Sequence, residues 1–350
     1  MSASAGVTLQ ISLAPTDLPH ARYIVPHQLR VWAGQVDEIL LTLDLHRSRG
    51  RFSAAWAERL PGMRRLLADL CADYPQARVS EVDYSENARR QLAEAFFGGA
   101  RVPEKDWNGG PFYSYFYGVY SATHPYVLHM DSDMFFGGGS QTWVAEAVSL
   151  LQSHGDALAC NPLPGPPTRD GSLRSQTLTP FPYTSTAYSV SQLSSRLFLL
   201  DRTRFHQFFP VVPLLPAPNA LRAWQARLDG NPPYALPEEI ITHLMTERRL
   251  LRIDFLGAAS GMWSLHPPYR TAEFYERLPE YIAQIEAGDV PEGQRGAHDM
   301  NASMIDWSSA QASRWRRIAR HARLAATRPF APASLSGAAD APADASRSAP

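Results

Sequence analysis

The sequence predicts an α/β fold in which helices flank a doubly wound, mostly parallel central sheet. Three observations support this prediction. The chain has 350 residues, 45% of them hydrophobic, so it can bury a large core. Over the first 135 residues, short apolar runs alternate with segments of helical periodicity, as in β-α-β units. One apolar run, Tyr126–Met130, ends at Asp131 and Asp133, and ligands of such sheets bind at the carboxyl ends of strands.

The first half of the chain has a regular order of predicted elements. Val7–Leu13 alternates in polarity and is predicted as a strand, followed by a helix that begins at Pro15-Thr16-Asp17 and extends to Ala33. Val36–Leu45 is the second strand, and Ser53 is expected to cap the next helix. The remaining elements of this half are a third strand at Arg78–Asp83, helices at Asn87–Phe97 and Phe112–Ala122, and the strand that carries Asp131.

The second half is less regular. A short strand at Leu158–Cys160 precedes a loop rich in Pro, Thr and Ser that extends from Asn161 to about Thr186, and loops of this length are usually functional or mobile. We expect one domain over residues 1–330, with a nucleotide-binding half at about 1–135, an acceptor half at 136–270 and helices at 271–330. Ala331–Pro350 is expected to be a disordered tail. The other predicted elements are strands at Arg196–Leu200, Leu251–Leu256 and Met262–Leu265, and helices at Pro237–Leu250, Thr271–Ala287 and Trp307–Ala326.

Composition and charge argue against several classes of protein. The net charge of −1 gives no overall field that would attract nucleic acid. The only two cysteines, Cys71 and Cys160, fit no metal-binding spacing and are expected to be reduced thiols. We find no signal-peptide pattern and no apolar run near the ~20 residues of a membrane span. These features predict a cytoplasmic protein.

Asp131 and Asp133 form the most informative motif. In an extended strand, residues i and i+2 point to the same face, so the two carboxylates can converge on one point. Paired carboxylates suit a hard divalent cation such as Mg²⁺ or Mn²⁺, which often carries phosphates. The alternative is an acidic turn after a buried strand.

Together these features resemble metal-dependent nucleotide-sugar glycosyltransferases of the GT-A fold, closest to family 2. The likeness is greatest between Gly109 and Gly137, where a helix and a strand precede the Asp-x-Asp motif, and extends more weakly over residues 7–270. The resemblance implies a GT-A-like fold, a nucleotide diphosphate sugar donor, an acceptor hydroxyl, Mn²⁺ or Mg²⁺, and transfer with inversion at the anomeric carbon.

The resemblance also implies roles for individual residues. Asp133 would be the direct metal ligand, and Asp131 would contact the ribose or a metal-bound water. Asp44 would contact the nucleobase, although Asp44-Leu45-His46 stands where the family has Asp-Asp-Gly. Asp83 would meet the base or ribose. His266 would be a further metal ligand, which would favour Mn²⁺ because imidazole suits softer ions.

The catalytic base is expected in the acidic pair Glu238-Glu239, where the family commonly has Glu-Asp. A carboxylate within hydrogen-bond reach can take the proton of the attacking hydroxyl. Neighbouring residues of a helix point about 100° apart, so one of the two should face the sugar. Glu239 is the favoured assignment.

Each assignment has a structural alternative. Asp44 and Asp83 could stabilise turns. Glu238 and Glu239 follow Pro237, and acidic residues favour the first turn of a helix through its dipole. His266 could be an ordinary loop histidine, and His298-Asp299 competes with it for a place near the diphosphate.

The segment Arg314–Arg328 holds six arginines and no acidic residue. Trp315, Ile318, Ala319 and Ala322 would form an apolar stripe on a helix, and a basic amphipathic helix can rest on an anionic membrane. A peripheral membrane contact is therefore one interpretation, and a terminal helix with a solvated basic face is the other.

Three other functions compete with glycosyl transfer. A haloacid-dehalogenase-type phosphatase also has Asp-x-Asp after a strand, but near its N-terminus and with a downstream lysine, whereas Lys105 precedes the motif here. A nucleotide-sugar pyrophosphorylase would have a glycine-rich, basic loop after the first strand, where this chain has Ala14-Pro15-Thr16-Asp17. A non-catalytic protein that binds sugar nucleotides remains an alternative.

Overall fold

The computed structural model describes residues 6–47, 55–174 and 178–310, and these residues form a mixed, mostly parallel sheet flanked by helices. The α/β fold class predicted from the sequence is confirmed. The strands are β1 (Val7–Leu13), β2 (Glu38–Leu43), β3 (Ala77–Glu81), β4 (Tyr126–Asp131), β5 (Phe135–Gly137), β6 (Ala157–Pro164), β7 (Thr179–Pro180), β8 (Ala187–Val190), β9 (Leu197–Asp201), β10 (Leu251–Phe255) and β11 (Trp263–Leu265).

The strand order along the main path of the sheet is β3-β2-β1-β4-β9-β6-β10-β8-β7. β1 pairs in parallel with β2 and β4, and β2 pairs in parallel with β3. β9 runs antiparallel to both β4 and β6. β11 lies beside this path, parallel to β6 and antiparallel to β5. The first half is thus the predicted parallel sheet, and the second half adds an antiparallel strand within it.

The helices cover both faces of the sheet. In the first half, four helices of 9 to 18 residues lie between the strands, and β1 and β2 are almost completely buried. The helices are α1 (Leu18–Trp32), α2 (Trp56–Asp73), α3 (Glu86–Phe97), α4 (Tyr113–Ser121), α5 (Trp143–Ser153), α6 (Arg202–Phe208), α7 (Ala220–Asp229), α8 (Pro237–Arg248), α9 (Ala272–Glu276) and α10 (Leu278–Glu286).

The two faces of β1 pack against different kinds of side chain. Its odd-numbered residues, such as Leu9 and Ile11, belong to the apolar core. Its even-numbered residues are polar and buried: Gln10 donates to Thr42 Oγ1 at 2.6 Å and contacts His129. Gly118 of α4 lets the helix approach this row, because a Cβ at Gly118 would collide with the Gln10 side chain. The polar side chains on this face of β1 thus lie in the interior beneath α4.

Several predictions differ from the structure in detail. The helix predicted at Thr271–Ala287 is two helices, α9 and α10, separated at Arg277. The loop predicted from Asn161 begins at Gly165, because β6 continues to Pro164, and it contains β7. Other differences are helices α5, α6 and α7 and strands β5 and β8, which were not predicted.

Some sequence predictions fall outside the described residues. They are the Ser53 cap, the basic segment Arg314–Arg328, the tail Ala331–Pro350 and most of the helix predicted at Trp307–Ala326. Within residues 6–47, 55–174 and 178–310, no helix combines the length and the apolar character needed to cross a bilayer.

Candidate functional site

A cleft lies over the carboxyl ends of β1, β2 and β4. Ser12 of β1 is opposite Thr42 of β2 on one side and Asp131 of β4 on the other. Because neighbouring strands are about 4.8 Å apart, the ends of β2 and β4 are separated by about 10 Å. With its open mouth included, the cleft has a volume of about 820 Å³, which is in the range of small-molecule sites.

The two ends of the cleft differ in chemistry. The end near β4 is charged, and the end near β2 combines flat and apolar side chains with one buried ion pair. We call them the charged end and the flat end. The charged end is lined by Asp17, Asp131, Asp133 and Arg270; the flat end is lined by Asp44, His46, Val82 and Lys105; Trp56 also lines the cleft.

Asp131 and Asp133 both line the cleft, but in different surroundings. The Asp131 side chain is 40% exposed, whereas that of Asp133 is 4% exposed. Arg270 donates to Asp133 Oδ2, across 137 positions of sequence. Asp133 Oδ1 is buried and has no hydrogen-bond partner among the described residues. One oxygen of this carboxylate is therefore neutralised by arginine and the other is left for a ligand.

The charges at this end shift the pKa of each acidic group. Burial would raise the pKa of Asp133, but Arg270 and His266 lower it well below its usual value. Burial and the neighbouring Asp133 carboxylate raise the pKa of Asp131 well above its usual value. Burial raises the pKa of Asp17 to about 6, against the attraction of Arg270. The positive charges around Asp133 thus favour its ionised form.

His266 lies beside Asp133 and is oriented by Asp299. The distance from His266 Nε2 to Asp133 Oδ2 is 4.0 Å, and His266 Nδ1 is 2.9 Å from Asp299 Oδ1. A carboxylate on one ring nitrogen fixes the tautomer and directs the other nitrogen outward, as around metal-bound histidines. The half-buried His298 ring stacks 6.2 Å from that of His266; desolvation and the neighbouring His266 lower the pKa of His298 to about 3.

The charged end offers part of a metal site rather than a closed one. In the described part of the chain, no group of three or more His, Cys, Asp or Glu side chains is arranged to hold an ion by itself. Asp131 and Asp133 nevertheless line this end of the cleft, and His266 Nε2 lies 4.0 Å from Asp133 Oδ2. Mg²⁺ and Mn²⁺ are commonly held by one or two carboxylates, with substrate phosphates and water as the other ligands. These residues fit a cation of that kind.

Asp44 and Asp83 occupy different places. Asp44 is buried in the flat end and accepts hydrogen bonds from Lys105 Nζ, Tyr84 OH, Ser114 Oγ and the His46 backbone N–H. Asp83 is exposed, does not line the cleft, and accepts from the Ser85 N–H in the turn before α3. The turn interpretation therefore describes Asp83.

Glu238 and Glu239 begin α8 but have separate partners. Both oxygens of Glu239 are engaged, Oε1 by Arg222 at 3.0 Å and Oε2 by the Leu236 backbone N–H at 3.0 Å. Glu238 Oε2 accepts from the backbone N–H and the hydroxyl of Ser195. Burial raises the pKa of Tyr115 well above its usual value, and the charges of Glu238 and Asp131 raise it further. Neither Glu238 nor Glu239 is among the residues that line the cleft.

Two residues of the cleft, Arg270 and Lys105, were not predicted from the sequence to belong to the site. Arg270 follows His266 by four residues, in His-Pro-Pro-Tyr-Arg, but nothing local indicates that it reaches Asp133. Lys105 could have been noticed in the sequence, because it is the only lysine of the chain. Of the tyrosines of α4, Tyr113 and Tyr115 are buried in the helix packing, and Tyr120 is exposed.

Comparisons with known proteins give distant similarities of fold. No protein-family model matches the chain, and no curated protein matches it. S. aureus TarS residues 1–349 align with a TM-score of 0.35 and 10% identity, over 82% of this chain and 67% of that one. The mannosyltransferase PcManGT from Pyrobaculum calidifontis, in complex with GDP-Man and Mn²⁺, has a TM-score of 0.33 and 12% identity, over 73% of this chain and 58% of that one.

A UDP-glucose pyrophosphorylase complexed with UDP-glucose aligns with a TM-score of 0.41 and 8% identity, over 80% of this chain and 99% of that one. The likeness to these structures is one of fold, an α/β, GT-A-like arrangement around a mixed, mostly parallel sheet. It carries no argument about the reaction, which must be argued from the residues of the cleft.

Proposed function

We propose that this protein is a metal-dependent glycosyltransferase that moves a sugar from a nucleotide diphosphate sugar to an acceptor hydroxyl. The observation that carries this proposal is the polarity of the cleft. Its charged end and flat end are about 10 Å apart across β1, and a nucleoside diphosphate likewise has an anionic end and a flat end. The diphosphate would lie beside Asp133 and Arg270, and the base would lie near His46 and Val82.

The charged end would stabilise the leaving group. Asp133, with Asp131 and His266, would hold a Mn²⁺ or Mg²⁺ ion. When bound, such an ion neutralises the charge that develops on the diphosphate. Arg270 supplies a second positive charge, because its side chain is 35% exposed and lines the cleft while paired with Asp133. Guanidinium groups bind phosphate oxygens through charge-assisted hydrogen bonds.

The surroundings of the acidic pair favour Glu238 rather than Glu239 as the catalytic base. The Glu239 carboxylate is occupied by Arg222 and by the backbone N–H of Leu236. Ser195 binds one oxygen of Glu238 and would hold the carboxylate in place. In this role Glu238 would take the proton of the acceptor hydroxyl, with inversion at the anomeric carbon.

The test is release of nucleoside diphosphate from a panel of nucleotide sugars with Mn²⁺, comparing the natural chain with Asp133→Asn. We expect the variant to lose about 10²-fold or more in turnover, the scale on which removal of one charge-stabilising group acts. Asp306→Asn is the matched control, because Asp306 is exposed and hydrogen-bonds within its own turn to Ser308. Equal turnover by Asp133→Asn and the natural chain would rule out the proposal.

Parallel assays separate the alternative functions. Phosphate release from simple esters would favour the phosphatase. Formation of a nucleotide sugar from a nucleoside triphosphate and a sugar 1-phosphate would favour the pyrophosphorylase. Selective nucleotide binding without any turnover would favour the non-catalytic binding protein.

A further inference from the structure

The Asp44 carboxylate has no hydrogen-bonding capacity left for a ligand. Its Oδ1 accepts from Tyr84 OH and from the His46 backbone N–H, both at 2.8 Å. Its Oδ2 accepts from Lys105 Nζ at 2.8 Å and from Ser114 Oγ at 3.0 Å. A carboxylate has about four lone-pair sites, so all of them are filled. Asp44 cannot accept a further hydrogen bond from an N–H group of a base.

Through its hydrogen bond with the Lys105 ammonium, Asp44 holds this side chain at the cleft. Lys105 is 7% exposed and lines the flat end, and its backbone forms a bridge with Pro111. Within the described residues, its ammonium donates one hydrogen bond, to Asp44. An ammonium has three N–H donors and no acceptor. Two donors therefore remain for a ligand.

The surroundings of Lys105 suit a nucleobase better than a phosphate. Val82 and His46 line the same end of the cleft and offer apolar or flat surface. The arginine of the cleft, Arg270, lies at the other end with Asp133. A diphosphate would therefore lie at the charged end, about 10 Å away across β1, and the base would meet Lys105.

We propose that Lys105 is a specificity-determining residue that donates a hydrogen bond to a carbonyl oxygen of the nucleobase. The inference rests on the proposed function only in requiring that the cleft binds a nucleotide. Uracil, thymine and guanine carry a carbonyl oxygen, O4 or O6, where adenine carries the N6 amino group. An ammonium can donate to that oxygen but cannot accept from the amino group. The chain should therefore select donors with a keto-bearing base over adenine nucleotides.

Calorimetric titration of UDP, GDP, ADP and pyrophosphate in the presence of Mn²⁺ tests this selection. We expect the better of UDP and GDP to bind the natural chain about tenfold or more tightly than ADP, the size of one charge-assisted hydrogen bond. Lys105→Met alone would leave a buried carboxylate unpaired and could fail to fold. The informative variant is therefore Lys105→Met with Asp44→Asn, which removes both charges.

In the double variant, the preference for keto-bearing bases should fall to about threefold or less, and pyrophosphate should bind as to the natural chain. Arg64→Met with Glu81→Gln is the matched control, because it removes an exposed ion pair outside the cleft. It should keep the full preference.

A second test uses the natural chain, so its result does not depend on whether the double variant folds. Because the chain has a single lysine, protein grown with ¹³Cε-labelled lysine gives one lysine Cε signal. UDP or GDP should move this signal and pyrophosphate alone should not. A signal that pyrophosphate moves as far would identify Lys105 as a phosphate ligand and overturn the proposal, as would equal binding of ADP or a double variant that keeps its preference. Selective nucleotide binding without sugar transfer would instead refute the proposed reaction and leave this inference standing.

Discussion

Asp133 is the residue on which the charged end of the cleft depends. A buried carboxylate is costly unless it is paired, and Arg270 pairs with one of its oxygens while His266 lies 4.0 Å away. The other oxygen, Oδ1, has no hydrogen-bond partner among the described residues. The residue is thus both stabilised by the fold and incomplete without a ligand.

The sequence predicted part of this arrangement. The sequence predicted that Asp131 and Asp133 line one cleft, and both do. The i, i+2 argument for a shared strand face was wrong, because the strand ends at Asp131 and Asp133 lies in the turn that follows. Arg270 could not be predicted, because its contact with Asp133 depends on tertiary packing across 137 positions. The four hydrogen bonds that the Asp44 carboxylate accepts could not be predicted either, since their donors come from four separate positions of the chain.

At the residue scale, we predict that Asp299 acts on metal binding through His266. Asp299 accepts the hydrogen bond of His266 Nδ1 and is 58% exposed, so Asp299→Asn should leave the fold intact. Loss of such an orienting carboxylate typically weakens metal affinity about tenfold or more. Titration with Mn²⁺, followed by electron paramagnetic resonance, measures the change. An Mn²⁺ affinity equal to that of Asp306→Asn would contradict the prediction.

At the scale of elements, the antiparallel pair of β5 and β11 brings Asp133 and His266 together. Leu265 pairs with Phe135, so the residue after β11 and the residues before β5 lie at the same end of the pair. Gly138 permits the close approach that follows β5: its φ is +96°, and a Cβ there would collide with the Gly261 carbonyl. A strand of three residues is too short to show a hydrophobic period, so the sequence pattern does not indicate that β5 and β11 pair.

The first turn of α8 allows a prediction that separates stability from catalysis. Glu239 caps the Leu236 N–H and pairs with Arg222, so Glu239→Ala should lower the free energy of unfolding by about 1 kcal/mol. Glu238→Gln should instead lower turnover by about 10²-fold or more, as expected for loss of a general base. Thermal unfolding and steady-state kinetics of both variants measure the two effects. If Glu239→Ala lost turnover and Glu238→Gln kept it, the base would be Glu239.

At the scale of the whole molecule, the two halves differed in how well they could be predicted. The first half follows local rules, because the parallel strands β1, β2 and β4 are buried almost throughout and helices cover them, while only the edge strand β3 is largely exposed. In the second half, β9 is inserted antiparallel between β4 and β6, which a local pattern does not specify. The sequence therefore predicted the sheet that carries Asp131 and Asp44 better than the segments that bring Arg270 and Asp299 to it.

The stability of the whole molecule should depend on pH through its buried histidines. Burial lowers the pKa of both His20 and His129 to about 3, so both are neutral in the folded protein. A histidine with a lowered folded pKa contributes stability that is fully present above its unfolded pKa of about 6.5 and is lost as pH falls towards 3. Asp17 acts in the opposite direction, because its pKa is raised to about 6 and acidification relieves the cost of its buried charge.

A substitution isolates the histidine contribution from these opposing groups. Between pH 7 and pH 5, the natural chain should lose about 2 kcal/mol more unfolding free energy than His129→Gln, because the variant has no imidazole to protonate at this position. Glutamine can still donate to Gln10, the partner of His129 Nδ1. Urea denaturation at both pH values measures the difference, with His243→Gln as a control at an exposed histidine of α8. Parallel stability profiles for the natural chain and His129→Gln would mean that His129 does not resist protonation in the folded protein.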